Sequence, residues 1–305
     1  MIIGLAWVFL AVVWGTTWSV IKIGLEDLPP VSFAGLRFAA AAVILWTIIL
    51  STRRRVPRDR SAWVLIGSTA LITISLQYGL QFWGQQHVAS GLSAVITSTI
   101  PVFTALFAHM LLPEERLTAR SIAGISLGFA GIVVIFSDQL TSQGVLALAG
   151  SGALIVASTA TSRAQISVKQ WAGRIDPIVF TGGQFAIGCV PLVIGGMIID
   201  GSPAGFEWTR NAVFALLYLA VFGSALAFGV MYWLFTKMAI TRVMLVAFVN
   251  PIVALAAGWV FLGERLTWTA WLGGGLVLAG VALVLRVNGL VRFAPGQSPP
   301  RSPAL

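Results

Sequence analysis

The sequence predicts an all-α integral membrane fold, with ten transmembrane helices built as two inverted-topology five-helix repeats. Three observations carry this expectation. First, the 305 residues are 58% hydrophobic and only 10% charged, against about 25% charged in an average soluble domain. So few charges cannot make a water-facing surface for a chain of this size, so most of the surface must face lipid. Second, the apolar residues fall into ten runs, each close to the ~20 residues needed to cross about 30 Å of hydrocarbon. Third, the chain writes one charged turn twice, LLPEERLT at 111–118 and FLGERLTW at 261–268.

The runs are 2–24, 31–51, 61–86, 90–112, 118–136, 144–168, 177–199, 210–236, 240–262 and 268–286. They are too long for strands and lack strict alternation, so they read as helices. A helix also satisfies its backbone groups internally, as lipid requires. The first run has no basic segment before it and no clean small-residue cleavage site after it, so a retained span is expected rather than a removed leader. The single cysteine, Cys189, cannot form an intramolecular disulfide and carries no information on redox compartment.

The formal net charge is +9. On a soluble chain this would point to nucleic acid, but no basic-aromatic module is present and no nucleic-acid partner is expected. The charges lie in loops between apolar runs. With a cytoplasmic N-terminus, 15 Lys/Arg fall on the cytoplasmic side and 3 on the other, with Arg37 alone inside a span. That asymmetry fits both termini cytoplasmic and an even number of spans. The tail from Asn288 carries Pro295, Pro299, Pro300 and Pro303 and is expected to be disordered.

The two charged turns belong to a longer match. Pro101 and Pro251 stand 150 residues apart; QYGLQFW from Gln77 aligns with AFGVMYW from Ala227; PVSFAGLRF from Pro30 aligns with PIVFTGGQF from Pro177; Gly124 and Gly131 align with Gly273 and Gly280. Four anchors in one order divide the chain into a repeat at 1–137, a second at 138–287 and a tail at 288–305. Five spans is an odd number, so the copies are expected to enter the membrane from opposite sides, an architecture of many secondary transporters.

WGTTWSVIK in span one, LRF in span two, PVFTALFAHMLLPEERLT, and NPIVALAAGWVFLGERLT before a glycine-rich last span resemble the drug/metabolite transporter superfamily, EamA type. The resemblance runs to about Arg286. It implies ten helices, cytoplasmic termini, a central cavity and export or exchange of small metabolites across a bacterial-type inner membrane. Members include amino-acid exporters and, more distantly, carriers of nucleotide sugars and triose phosphates. Small multidrug members of the superfamily use a glutamate in their first helix; here no Glu or Asp lies between Met1 and Leu25.

Candidate substrate-lining residues follow from which polar groups cannot cheaply face lipid. Arg37 lies ~10 Å deep in span two at 1.5 Å per residue; it could hold a carboxylate bidentately, or it could bond helix-end carbonyls or Glu26 and Asp27. Its repeat counterpart is Gln184. Trp14, Thr17 and Trp18 share a helical face suited to an amphipathic solute, and Lys22 is expected to snorkel outward. Gln77, Tyr78, Gln81 and Gln85 form a stripe in span three, with Tyr232 at the matching place in span eight. Thr97 and Ser158 mark polar faces of spans four and six, and Asn250 precedes a mid-span proline. Pro101 and Pro251 each free a carbonyl one turn back and are candidate hinges. No cofactor, metal or catalytic group is expected: there is no Ser/His/Asp set and no HExxH. The expected partners are the lipid bilayer and a small-molecule substrate, best an amino acid, including aromatic or hydrophobic ones. The alternative is a nucleotide sugar, sugar phosphate or drug. Oligomeric state is left open, a monomer being compatible with the sequence.

The repeat makes a direct prediction. Cysteines introduced singly for Glu115 and Glu264 on a Cys189→Ala background should react with a membrane-impermeant thiol reagent from opposite sides of the membrane; reaction from one common side would overturn the inversion.

Overall fold

A computed structural model describes residues 2–111, 119–142, 144–170, 175–237 and 246–288. Among them there are helices and no strand. The α-helices are α1 (Ile2–Gly24), α2 (Pro30–Ser51), α3 (Arg60–Ala70), α4 (Gln77–His87), α5 (Ser90–Thr97), α6 (Ile100–Leu111), α7 (Ala119–Ser142), α8 (Val145–Gln170), α9 (Pro177–Ile199), α10 (Arg210–Tyr218), α11 (Ala227–Lys237), α12 (Val246–Leu262) and α13 (Trp268–Asn288). A π-helical turn at Leu71–Leu76 joins α3 to α4, and another at Leu219–Leu226 joins α10 to α11. Among the described residues seven helical stretches are long and apolar enough to cross a membrane, and Ile122–Ile135, Val249–Leu262 and Trp268–Leu283 are shorter apolar stretches. The molecule is a multi-pass helical membrane protein. Its lipid-facing surface is aliphatic and aromatic, as at Val43, Val145, Ile198 and Trp259.

Local chemistry starts and stops the helices where the sequence allows. Pro30 and Pro177 open α2 and α9, positions that need no N–H. Asp176 caps α9 by accepting from the Ile178 and Val179 amides. Asp59 caps α3; bonds from the Ser61 hydroxyl and the Ala62 amide hold its carboxyl below the usual carboxylate range. The stretch from Ser90 to Leu111 is interrupted at Ser98–Thr99, so Pro101 is the second residue of α6, where its missing donor costs little. Pro251 sits inside a continuous α12. The first charged turn and residues 240–245 of the ninth run lie outside the described residues.

Packing pairs the helices in a regular way. α2 lies on α9, α7 on α13, α4 on α8, and α1 and α5 on α12. Between α7 and α13 the contact is backbone on backbone. A Cβ on Gly131 would stand 2.5 Å from the Gly273 carbonyl oxygen, and one on Gly280 would stand 2.5 Å from that of Gly124. The two helices therefore cross antiparallel. Each glycine of α7 meets the repeat counterpart of the other. The α2–α9 pair shows the same order, with Gly35 against Leu192 and Val193 and Gly182 against Leu45 and Ile49. It is tied at both ends: Arg54 pairs with Asp176 at 2.8 Å, and the Ser32 amide donates to Asp200 at 2.8 Å. Trp46 Nε1 donates to the Gly182 carbonyl between them at 3.1 Å.

Small residues let membrane helices approach where lipid supplies no hydrophobic drive. Gly280→Val is expected to overpack the α7–α13 crossing and cost about 1–3 kcal/mol. The measurement is the thermal unfolding midpoint of detergent-purified protein. Gly275→Val, where a Cβ meets nothing within 4 Å, serves as the neutral control.

Candidate substrate site

Arg37 projects from α2 into the protein and is only 2% exposed. Its Nε donates to Ser224 Oγ at 3.0 Å and its Nη2 to the Gly223 carbonyl at 3.3 Å. Both partners lie in the π-helical turn between α10 and α11. Three rings surround the guanidinium, with Cζ 5.0 Å from the Phe38 centroid, 5.2 Å from Tyr78 and 5.9 Å from Phe82. These are cation–π distances, and such contacts strengthen when water is excluded. Nη1 is buried and finds no hydrogen-bond partner among the described residues. Glu26 and Asp27 are not its partners; Asp27 accepts instead from the Thr209 hydroxyl.

The rings continue away from the cation. Tyr78 meets Phe38 at 4.5 Å, Phe38 meets Phe185 at 5.0 Å, Phe185 meets Phe228 at 5.4 Å, and Phe228 meets Trp14 at 5.7 Å. Most are edge-to-face, the arrangement aromatic quadrupoles prefer. Thr17 is buried on the same side, its hydroxyl bonded back to the Trp14 carbonyl at 2.6 Å. Gly223 has to be small here, because a Cβ would stand 2.9 Å from the Thr17 methyl and 3.4 Å from Arg37 Nη2. Arg37, Tyr78, Thr17 and Trp14 are thus brought to one aromatic-walled region.

Other sequence candidates are placed elsewhere. Trp18 packs with Ala94 and Ala254 where α1, α5 and α12 meet. Asn250 Oδ1 and Thr97 Oγ1 lie in this part of the bundle, both buried and without a partner among the described residues. Gln77 accepts from the Thr161 hydroxyl at 2.6 Å, which joins α4 to α8. Ser158 bonds back to the Leu154 carbonyl at 2.8 Å within α8. Gln81 is buried. Gln184 donates to Thr69 Oγ1 at 2.9 Å. The Tyr232 side chain lies outside the described residues. Lys22 is partly buried near the end of α1. It donates to the carbonyls of Gln85, Gln86 and Val88 at 2.6, 3.1 and 3.2 Å, because these helix-end oxygens need a donor and a lysine supplies it.

Sequence reasoning missed Ser224 and Gly223. The only signal was an adjacent Gly-Ser pair in an otherwise apolar run. Among the described residues no group of three or more His, Cys, Asp or Glu could hold a metal ion.

Apolar helices, a lipid-facing exterior and a buried cation walled by rings define the class as a polytopic membrane protein with an internal polar site. The particular family follows from comparison with known proteins. The chain belongs to the EamA-like transporter family, whose model matches residues 2–137 and again residues 147–286. It is 32% identical over 282 residues to a protein of Escherichia coli K12 described as the uncharacterized inner membrane transporter YedA, covering 90% of this chain and 88% of that one. It is 28% identical to the uncharacterized transporter YoaV of Bacillus subtilis, covering 88% and 91%. It is 29% identical to a chloroplastic WAT1-related protein of Arabidopsis thaliana, covering 89% and 66%. A solved structure titled only as a crystal structure of protein shares the fold, with a TM-score of 0.63 at 17% identity over 94% of this chain and 98% of that one.

Ser224→Ala removes the one side chain that accepts from Arg37 among the described residues. It is expected to lower stability by about 1–3 kcal/mol, the cost of orphaning a buried donor. A fall in the unfolding midpoint that Ser224→Thr does not reproduce is the check.

Proposed function

We propose that the protein is a secondary transporter that exports small metabolites, best amino acids, by alternating access between two inverted five-helix units. The units are 1–137 and 138–287, giving ten transmembrane helices, with both termini and the 288–305 tail in the cytoplasm of a bacterial-type inner membrane. The antiparallel crossing of α7 and α13 supports the inversion, since each is the fifth helix of its unit. So do the two π-helical turns, which stand at matching places before QYGLQFW and AFGVMYW. Two halves related in this way can exchange conformations and so open one site to either side.

The observation that carries the substrate reading is Arg37. An intramembrane cation is costly unless paired, and this one has two protein acceptors, neither of them charged, with one donor nitrogen unmatched. A carboxylate completes that set, accepting from Nη1 in a charge-assisted bond. The rings from Tyr78 to Trp14 suit an apolar or aromatic side group beside it. A single guanidinium with no second cation beside it among the described contacts favours a singly charged carboxylate over a phosphate.

Proteoliposomes loaded with labelled amino acids, or with labelled sugar phosphates, test this directly. Amino-acid flux is expected, and Arg37→Ala should cut its initial rate about ten- to hundredfold, the loss of one charge-assisted bond, with the protein still folded and inserted. Sugar-phosphate flux without amino-acid flux would overturn the substrate class. Equal flux from Arg37→Ala would remove Arg37 from the site.

A further inference from the structure

The second charged turn acts on another part of the bundle. α12 ends in a glycine turn: Gly263 takes φ 64°, and the Glu264 amide closes on the Gly258 carbonyl at 3.1 Å. This aims the Glu264 carboxylate at the start of α5. It accepts from the Ser90 amide at 2.8 Å, the Ser90 hydroxyl at 2.9 Å and the Gly91 amide at 3.3 Å. A negative charge there also complements the helix dipole. Three residues back in the chain is the end of α4, where Lys22 of α1 holds the carbonyls of Gln85, Gln86 and Val88. The turn from α4 to α5 is thus gripped on one side by a cation and on the other by an anion. Each charge sits on the helix end it favours. Gly258 makes room for the grip: a Cβ there would run into the Glu264 carboxylate and stand 2.9 Å from Ser90 Oγ.

Behind the grip, unmatched oxygens lie among the apolar contacts of α5. Ser93 and Thr97 of α5, Gln85 of α4, Ser19 of α1 and Asn250 of α12 each bury an oxygen with no partner among the described residues. Most hydroxyls on these helices bond back to their own helix, as Thr17, Ser98 and Thr99 do. Ser93 and Thr97 do not. Buried oxygens of this kind are costly when dry and are relieved by water. α5 is eight residues long and is separated from α6 by the break at Ser98–Thr99, so it has a pivot at its far end.

We infer that Lys22 and Glu264 form a two-charge latch that seals the solute path at this end by holding the α4–α5 turn, and that its release lets α5 swing about Ser98–Thr99. This rests on the transport reading above for its purpose, and places the latch on the non-cytoplasmic side. The restraint is electrostatic and made to helix ends, so incoming water can replace it bond for bond. The apolar contact of Trp18 with Ala94 and Ala254 offers no such exchange.

The test needs no substrate. Ser93→Cys on a Cys189→Ala background, in the full chain in sealed membrane vesicles, reports opening through its reaction with a membrane-impermeant maleimide. With Lys22 and Glu264 intact the thiol should be nearly inert. Lys22→Met, Glu264→Ala and Gly258→Ala should each raise the reaction rate about tenfold or more from the Lys22 side alone, a population shift of that size; Lys22→Arg should restore protection. Unchanged rates in variants that remain monodisperse would overturn the latch, as would an equal rise from both sides. A latch that behaves as expected in a protein that moves no solute would leave the transport reading to fail on its own.

Discussion

The bundle depends on backbone reaching backbone at glycine. Lipid is as apolar as a leucine side chain, so burying leucine between membrane helices gains little. What remains is close contact, and the crossing of α7 and α13 shows how far it is taken. Gly124 meets Gly280, and Gly131 meets Gly273, with no side chain between them. The pairs are counterparts under the repeat, so one crossing satisfies both halves with the same chemistry. The same constraint recurs between α2 and α9, where Gly35 and Gly182 admit the other helix's main chain or side chains. Once these two like-with-like pairs are set antiparallel, the remaining contacts follow: α4 on α8 is matched by α1 on α10 and α11.

Against that rigid frame, the departures from ideal helix collect where chemistry is placed. Both π-helical turns face the central α2–α9 pair, and such turns shift the hydrogen-bond register of their own helix. In the second, the Gly223 carbonyl and Ser224 hydroxyl receive Arg37. In the first half, Gln184 reaches Thr69, and Ser75 donates to Gly188. The two halves thus use one scaffold for unequal chemistry, a guanidinium in one and an amide in the other.

How much of this was legible in the sequence depended on whether the signal was local. Most apolar helices were, because ~20 apolar residues in a row are a local count; seven stretches among the described residues are long and apolar enough to span, while α7 runs on to Ser142. Arg37 was, because a charge deep in an apolar run stands out with no knowledge of its neighbours. The glycine ladders were, through their spacing. The partners were not. Ser224 is 187 residues from Arg37 and Ser90 is 174 from Glu264, and nothing in either segment names the other. Lys22 read as a residue near a span end, but nothing nearby in the sequence pointed to the helix-end carbonyls of Gln85, Gln86 and Val88 that it holds. The π-helical turns left no mark either, since their residues are as apolar as those of any span.

The placement of charge then separates two kinds of ionic contact. Arg54 and Asp176 pair with each other at one end of the α2–α9 unit, half-exposed, and Asp200 holds the Ser32 amide at the other end. These join two helices already locked by glycine contact, so breaking one of them leaves the pair in place. Lys22 and Glu264 are different. Each holds an end of the α4–α5 turn: α5 is buried along most of its length, but it is short, broken from α6, and carries oxygens that lack partners among the described residues. Where a charge supplements packing it adds a little stability, of the order of 1 kcal/mol or less for an exposed pair. Where it holds the end of a short helix, the position of that end follows the charge. On the latch proposed above, a chain that must stay assembled in lipid and still open a path for a solute has reason to put the first kind on its central pair and the second on the α4–α5 turn.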